Sequence, residues 1–178
     1  DLGGEKIEAP LVVGAGGHTC PVARAWGDIS VQEEVVLTQE SETRVGADRL
    51  RTVAPNYGLP ELFAEPDFKG YAWYFTKGEF LNIGVGCLGK KPSVHERRDA
   101  LLERFRRDGR LPPDLGLTAF KGHAYSVRRG TPRRVAGERF LLVGDAAGLA
   151  KDFSGEGIGP ATRSARLAAD AIQAWREG

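Results

Sequence analysis

The run Phe140-Leu141-Leu142-Val143-Gly144-Asp145-Ala146-Ala147-Gly148, followed by Gly155-Glu156-Gly157-Ile158, constrains this chain more than any other feature. Four apolar residues read as a strand that delivers one carboxylate, Asp145, at its carboxyl end. Small residues follow, so no bulky side chain stands beside that carboxylate. Gly155 comes ten residues after Asp145 and opens a glycine-flanked helix start. In open α/β sheets, ligands sit outside the carboxyl ends of strands. A helix start there offers N–H groups and a positive dipole end to an anion or a polarised carbonyl. Asp145 can accept hydrogen bonds from sugar-like hydroxyls. These pieces together suit a cofactor that carries a polyol, a pyrophosphate and an electron-accepting ring.

Periodicity divides the chain into three sections. Residues 1–28 hold a strand over Pro10 to Val13 and a glycine loop, Gly14-Ala15-Gly16-Gly17. Residues 29–128 read as a sheet with one inserted helix. Within it Ile29 and Val31 alternate, and Tyr71, Trp73 and Phe75 share one face of a strand. Lys77-Gly78 makes a tip, and Leu81, Ile83, Val85 and Cys87 share a face of the return strand. Gly84 and Gly86 leave the opposite face bare, a pattern that marks close approach by a ligand or another backbone. The inserted helix lies between Ser93 and Arg107, with an apolar stripe of Ala100, Leu101, Leu102 and Phe105. Residues 129–178 end in a helix whose Ile158, Ala161, Ala165, Ala168, Ile172 and Trp175 keep helical spacing. Pro160 falls in its first turn, where proline is tolerated. The fold class expected is α/β (α+β), an incomplete Rossmann-like domain with an inserted antiparallel β-sheet domain.

Charge and cysteine content exclude several classes. A net charge of +1 gives no electrostatic case for nucleic acid. No apolar stretch approaches the roughly 20 residues of a membrane span. Cys20 and Cys87 are too few for a disulfide framework and suit reduced thiols, hence a cytoplasmic location. The pairs Arg97-Arg98, Arg106-Arg107, Arg128-Arg129 and Arg133-Arg134, with Arg104, read as solvated surface; a peripheral membrane contact through lipid phosphates is the second reading.

GDAAG followed by SGEGI resembles the second flavin-binding fingerprint of the flavoprotein group that includes aromatic hydroxylases and geranylgeranyl reductases. Leu11-Val12-Val13-Gly14-Ala15-Gly16-Gly17, continued by His18 to Arg24, is similar to that group's middle motif. Tyr71-Ala72-Trp73-Tyr74-Phe75 with Asn82-Ile83-Gly84-Val85-Gly86 looks like the geranylgeranyl reductase branch. The three keep the family's order and rough spacing, and they span most of the chain. Two positions depart from it: Gly16 stands where the family usually has Asp, and Asp152-Phe153 where relatives commonly carry Asn-Pro. The family's opening G-x-G-x-x-G strand is missing, and the sequence starts at Asp1 with no methionine. The chain is therefore expected to be a later portion of a longer flavoprotein, its partner being the N-terminal half of the same protein.

The resemblance implies bound FAD, with Asp145 on the ribityl hydroxyls and Gly144, Ala146 and Gly148 shaping its turn. Gly155, Glu156, Gly157 and Ile158 would meet the ring's N1–C2=O edge, where the helix dipole stabilises negative charge. Gly16 and Gly17 belong to the same cofactor set. Gly155 and Gly157 read alternatively as ordinary turn glycines, and His18 and Cys20 as structural. Tyr71, Trp73 and Phe75 are either sheet core or the lining of an apolar cavity for an isoprenoid substrate. The implied reaction is hydride transfer from reduced FAD to a carbon–carbon double bond of an isoprenoid or lipid, with NAD(P)H or another donor as reductant. No side chain is assigned as catalytic acid, and no metal is expected. An FAD-dependent aromatic monooxygenase is the enzyme alternative. A fragment that binds no flavin by itself is the alternative of another class.

Overall fold

The computed structural model of the chain describes residues 4, 6–29, 33–89, 91–130 and 133–178. They divide into two compact units, Asp1–Val35 with Tyr125–Gly178, and Val36–Ala124. The divisions thus fall at 35/36 and 124/125, against the expected 28/29 and 128/129. Val31, half of the alternating pair read from the sequence, lies outside the described residues. No helix among the described residues is long and apolar enough to cross a membrane.

In the first unit, β1 (Val12–Gly14) runs parallel to β8 (Phe140–Leu142), pairing Val12 with Phe140 and Gly14 with Leu142. A short strand, β7 (Ala136–Gly137), pairs antiparallel on the other side of β8. The helix α1 (Pro21–Trp26) begins with proline at its first position and packs on these strands. Cys20, Ala23, Phe140, Leu142, Ala146 and Ala147 form the core. The strand read as buried over Pro10 to Val13 forms over Val12–Gly14 and is only part-covered, with Val13 42% exposed.

The last helix, α4 (Ile158–Glu177), forms where its spacing predicts, yet none of its residues is buried. Ala161, Ser164, Ala168 and Ile172 are half-buried, whereas Ile158 is 83% and Trp175 60% exposed. Helical periodicity survives without full burial here because α4 rests mainly on the short turn at Gly144–Ala147.

In the second unit a five-stranded sheet has the order β3-β4-β5-β2-β6. These are β2 (Val35–Arg44), β3 (Glu61–Ala64), β4 (Gly70–Lys77), β5 (Phe80–Leu88) and β6 (Lys121–Ser126), the last crossing into the other unit. The β4–β5 hairpin is antiparallel, turning at Gly78 with φ 58°. Alternation sorts its faces: Ala72, Tyr74, Leu81, Ile83, Val85 and Cys87 point into the core. There α3 (Val94–Arg107) covers them with Leu101 and Phe105. Phe105 stands edge-on to Tyr74, with ring centroids 5.4 Å apart, and to Phe63 at 5.1 Å. A capping box starts α3, Ser93 and Glu96 each accepting the other's backbone N–H.

Three expectations are corrected here. A second helix, α2 (Ala47–Val53), accompanies α3, so the sheet carries two helices. Ala100 is exposed, and the buried side of α3 is Val94, Arg97, Leu101 and Phe105. Arg97 is not solvated: its side chain is 3% exposed and reaches Glu65 at 2.7 Å and Asp67 at 2.6 Å. Two carboxylates let a guanidinium stay inside, since both charge and donors are satisfied.

Candidate functional site

The strand β8 ends at Leu142, and the chain turns through Gly144–Ala147 in a 3-10 helix closed by Gly148 at φ 65°. Gly144, Ala146 and Ala147 are buried, which leaves Asp145 as the polar group that the turn presents. The start of α4 meets this turn. Ser164 Oγ accepts the Gly144 N–H at 3.0 Å, and Gly157 lies beside the Asp145 carboxylate. A Cβ added to Gly157 would come 3.2 Å from Asp145 Oδ1, so glycine keeps the space next to that oxygen open.

The helix start is not a row of idle donors. Glu156 bends back to accept the Gly159 N–H and pairs with Lys151 at 3.0 Å. The Gly159 N–H bond and then the Lys151 contact hold its carboxyl below the usual range. Gly155 has a local reason to be glycine, because its φ is +64° and a Cβ would fall on the Tyr125 hydroxyl. Ile158 stands exposed beside them. The loop of Gly16 and Gly17 leads into a 3-10 turn, Gly17–Thr19, that packs against Gly144–Ala147. Strand end, glycine loop and helix start thus converge within one unit.

Beneath this convergence lies a polar cluster that the sequence did not disclose. Arg133, expected at the surface, has its side chain 1% exposed and pairs with Glu33, itself 6% exposed. Its Nε and Nη2 donate to the two Glu33 oxygens at 2.7 and 2.6 Å. Its Nη1 donates to the carbonyls of Asp145 at 3.0 Å and Ala146 at 2.7 Å. Burial pushes the Glu33 carboxyl up, but hydrogen bonds from Arg133 and Ser126 and the nearby Arg133 and His18 charges together hold the group below its usual range. Ser126 Oγ touches Arg133 Nη2 at 3.4 Å and His18 Nδ1 at 3.2 Å. Burial, then the Arg133 charge, hold the His18 imidazole below its ordinary value. His18 therefore has a structural partner. Arg134, the next residue, is an ordinary surface arginine bridging to Asp28 at 3.2 Å. Nothing in the local pattern separates Arg133 from Arg134, since Glu33 lies 100 residues away.

Tyr71, Trp73 and Phe75 lie in the other unit, on the β4 face turned away from the core. All three are half-buried, with ring centroids 6.0 and 6.4 Å apart along the row. The Trp73 indole lies over Gly84, its cross-strand partner, and extends to Gly86. Its Nε1–H donates to Asn82 Oδ1 at 2.6 Å, and the Asn82 amide group donates to Glu42 at 3.2 Å. The close approach at Gly84 is therefore by a side chain of the same hairpin, and at Gly86 first by Thr38 of β2. On the opposite face, a cavity of about 470 Å³ lies between β3–β4 and α3, lined by Phe63, Pro66, Ala72, Leu101 and the paired Arg97.

No protein-family profile matches the chain. Over 179 residues it is 32% identical to the chloroplastic geranylgeranyl diphosphate reductase of Oryza sativa, a match covering 97% of this chain and 36% of that protein. Among solved structures it resembles a geranylgeranyl bacteriochlorophyll reductase-like protein of Thermoplasma acidophilum, with TM-score 0.64 and 23% identity, covering 94% of this chain and 42% of that one. It also resembles the flavin-dependent brominase Bmp2, with TM-score 0.68 and 14% identity over 98% of this chain and 45% of the other. The two structural likenesses give the fold. The chain spans roughly a third of the curated geranylgeranyl diphosphate reductases it matches, and along nearly all its own length it is their homologue.

Proposed function

We propose that this chain is the part of an FAD-dependent reductase that holds the flavin's ribityl chain and ring edge and supplies one wall of the substrate site. The observation that carries the reading is Asp145 in the turn after β8, with its carboxylate beside the open side of Gly157. The donor set fits a flavin: a carboxylate accepts from polyol hydroxyls, and a bare glycine at a helix start admits a flat ring edge. In this reading Gly144, Ala146 and Gly148 shape the turn, and Gly16 and Gly17 close one side. Gly155, Glu156, Gly157 and Ile158 present the α4 start, whose dipole favours negative charge on the ring.

The flavin, when bound, supplies the hydride equivalent for a carbon–carbon double bond. The chain's own residues bind, orient and exclude water. Tyr71, Trp73 and Phe75 offer an apolar row outside the core, suited to an isoprenoid or lipid chain. Their half-burial supports cavity lining over sheet core, and the homology to geranylgeranyl diphosphate reductase supports an isoprenoid substrate. NAD(P)H or another donor would reduce the flavin. A cytoplasmic location, with peripheral membrane contact through exposed arginines such as Arg106, Arg107, Arg128 and Arg129, completes the proposal. The division of labour assigns cofactor binding to the first unit and substrate contact to the second.

The test is to supply the whole reading frame, loaded with reduced flavin, with a prenyl diphosphate or prenylated lipid, and to follow double bonds by mass spectrometry. Uptake of two hydrogens per double bond supports the reading. Oxygen-dependent hydroxylation of an aromatic compound, with no change in prenyl chains, would contradict it.

A further inference from the structure

We propose that Arg133 is a positioning residue of the cofactor site: locked to Glu33, it grips the carbonyls of Asp145 and Ala146 and so fixes the turn that presents the Asp145 carboxylate. This deepens the flavin reading and rests on it for the identity of the ligand.

The guanidinium has five N–H groups in a fixed fork, and all five find acceptors. Two go to the Glu33 carboxylate, two to the carbonyls of the turn, and one to Ser126 Oγ. Every acceptor comes from a different part of the first unit: Glu33 precedes β2, Ser126 ends β6, and the carbonyls belong to the turn after β8. With the Asp145 and Ala146 carbonyls held inward, the Asp145 side chain is left to face Gly157. Ser126 passes the same network to His18, on the 3-10 turn next to Gly144–Ala147. One arginine therefore ties the glycine loop and the Asp145 turn together without touching the ligand space.

Stability alone would not call for an ion pair here. A buried pair is often replaceable by apolar residues of similar volume without loss of stability. A fork that reads a carboxylate on one side and two carbonyls on the other is what a lysine cannot reproduce.

The experiment uses the whole reading frame and three variants: Arg133→Lys, the double change Arg133→Met with Glu33→Met, and Asp145→Ala. The first readout, on flavin-stripped protein, is hydrogen exchange at the amides of Gly148 and Leu149, which donate to the Asp145 and Gly144 carbonyls. The second is the flavin dissociation constant. The double variant takes the Arg133 donors from the Asp145 and Ala146 carbonyls, so it should melt somewhat below wild type, exchange these amides faster, and bind flavin about ten-fold more weakly. Arg133→Lys keeps the charge beside Glu33 and secures a folded comparison should the double variant not fold. It should show the same direction in both readouts. Wild-type exchange and affinity in a folded Arg133 variant would overturn the positioning role. Faster exchange in the Arg133 variants with flavin affinity unmoved by Asp145→Ala would leave that role standing and remove the flavin reading instead.

Discussion

The indole of Trp73 lies over Gly84, its antiparallel partner, so closely that a Cβ there would occupy the ring's place. Gly84→Ala should therefore displace the indole or strain the hairpin, at about 1–3 kcal/mol of stability. The tryptophan emission of the variant should shift with exposure of the ring. An unchanged melting temperature together with an unchanged spectrum would mean that the indole does not rest there.

Asn82 fixes the other coordinate of that ring. Asn82→Leu removes the acceptor of the Trp73 Nε1–H and should cost about 1–3 kcal/mol. Trp73→Ala, by contrast, should cost less than the roughly 3–5 kcal/mol of a fully buried aromatic, because the ring lies outside the core. If Tyr71, Trp73 and Phe75 line the substrate site, Trp73→Ala lowers activity on long prenyl chains in protein that stays folded and yellow. A large fall in melting temperature with unaltered substrate preference would favour sheet core.

The core of the second unit is keyed by Phe105, which no solvent reaches and which meets both Tyr74 and Phe63. Phe105→Ala should cost about 3–5 kcal/mol in denaturant unfolding. A loss below that of Trp73→Ala would reverse the assignment of the two sheet faces.

Acid should act on the second unit through Asp67. Hydrogen bonds from Arg97 bring its carboxyl down from the ordinary 3.8 to about 2. A carboxyl lowered in the folded state contributes stability that is complete above 3.8 and disappears as the pH falls through about 2. Melting temperature should therefore decline across that window, and Asp67→Asn should flatten the decline. An identical pH profile in the variant would refute the Arg97–Asp67 linkage.

The hairpin was legible in the sequence because strand alternation is local: Leu81, Ile83, Val85 and Cys87 need no distant partner to declare a face. The same holds for α4, whose spacing is visible although its burial is not. Arg97 and Arg133 look like surface arginines in sequence because their carboxylates lie far along the chain, and burial of an arginine depends on a partner rather than on its neighbours. The helix α2 carries little sequence signal because it is seven residues long and starts after Gly46, without a side-chain cap. Asp145 and Gly157 were legible as motif residues, whereas the arginine that braces their turn was not.

The account stands most directly on Asp145. The whole reading frame, purified from a host that makes FAD, should carry flavin with its visible absorption. Asp145→Ala should lose most of that flavin while keeping its melting behaviour, since a ligand hydroxyl would lose a charged acceptor worth about 1–3 kcal/mol. Equal flavin content in the variant and the parent would contradict the account.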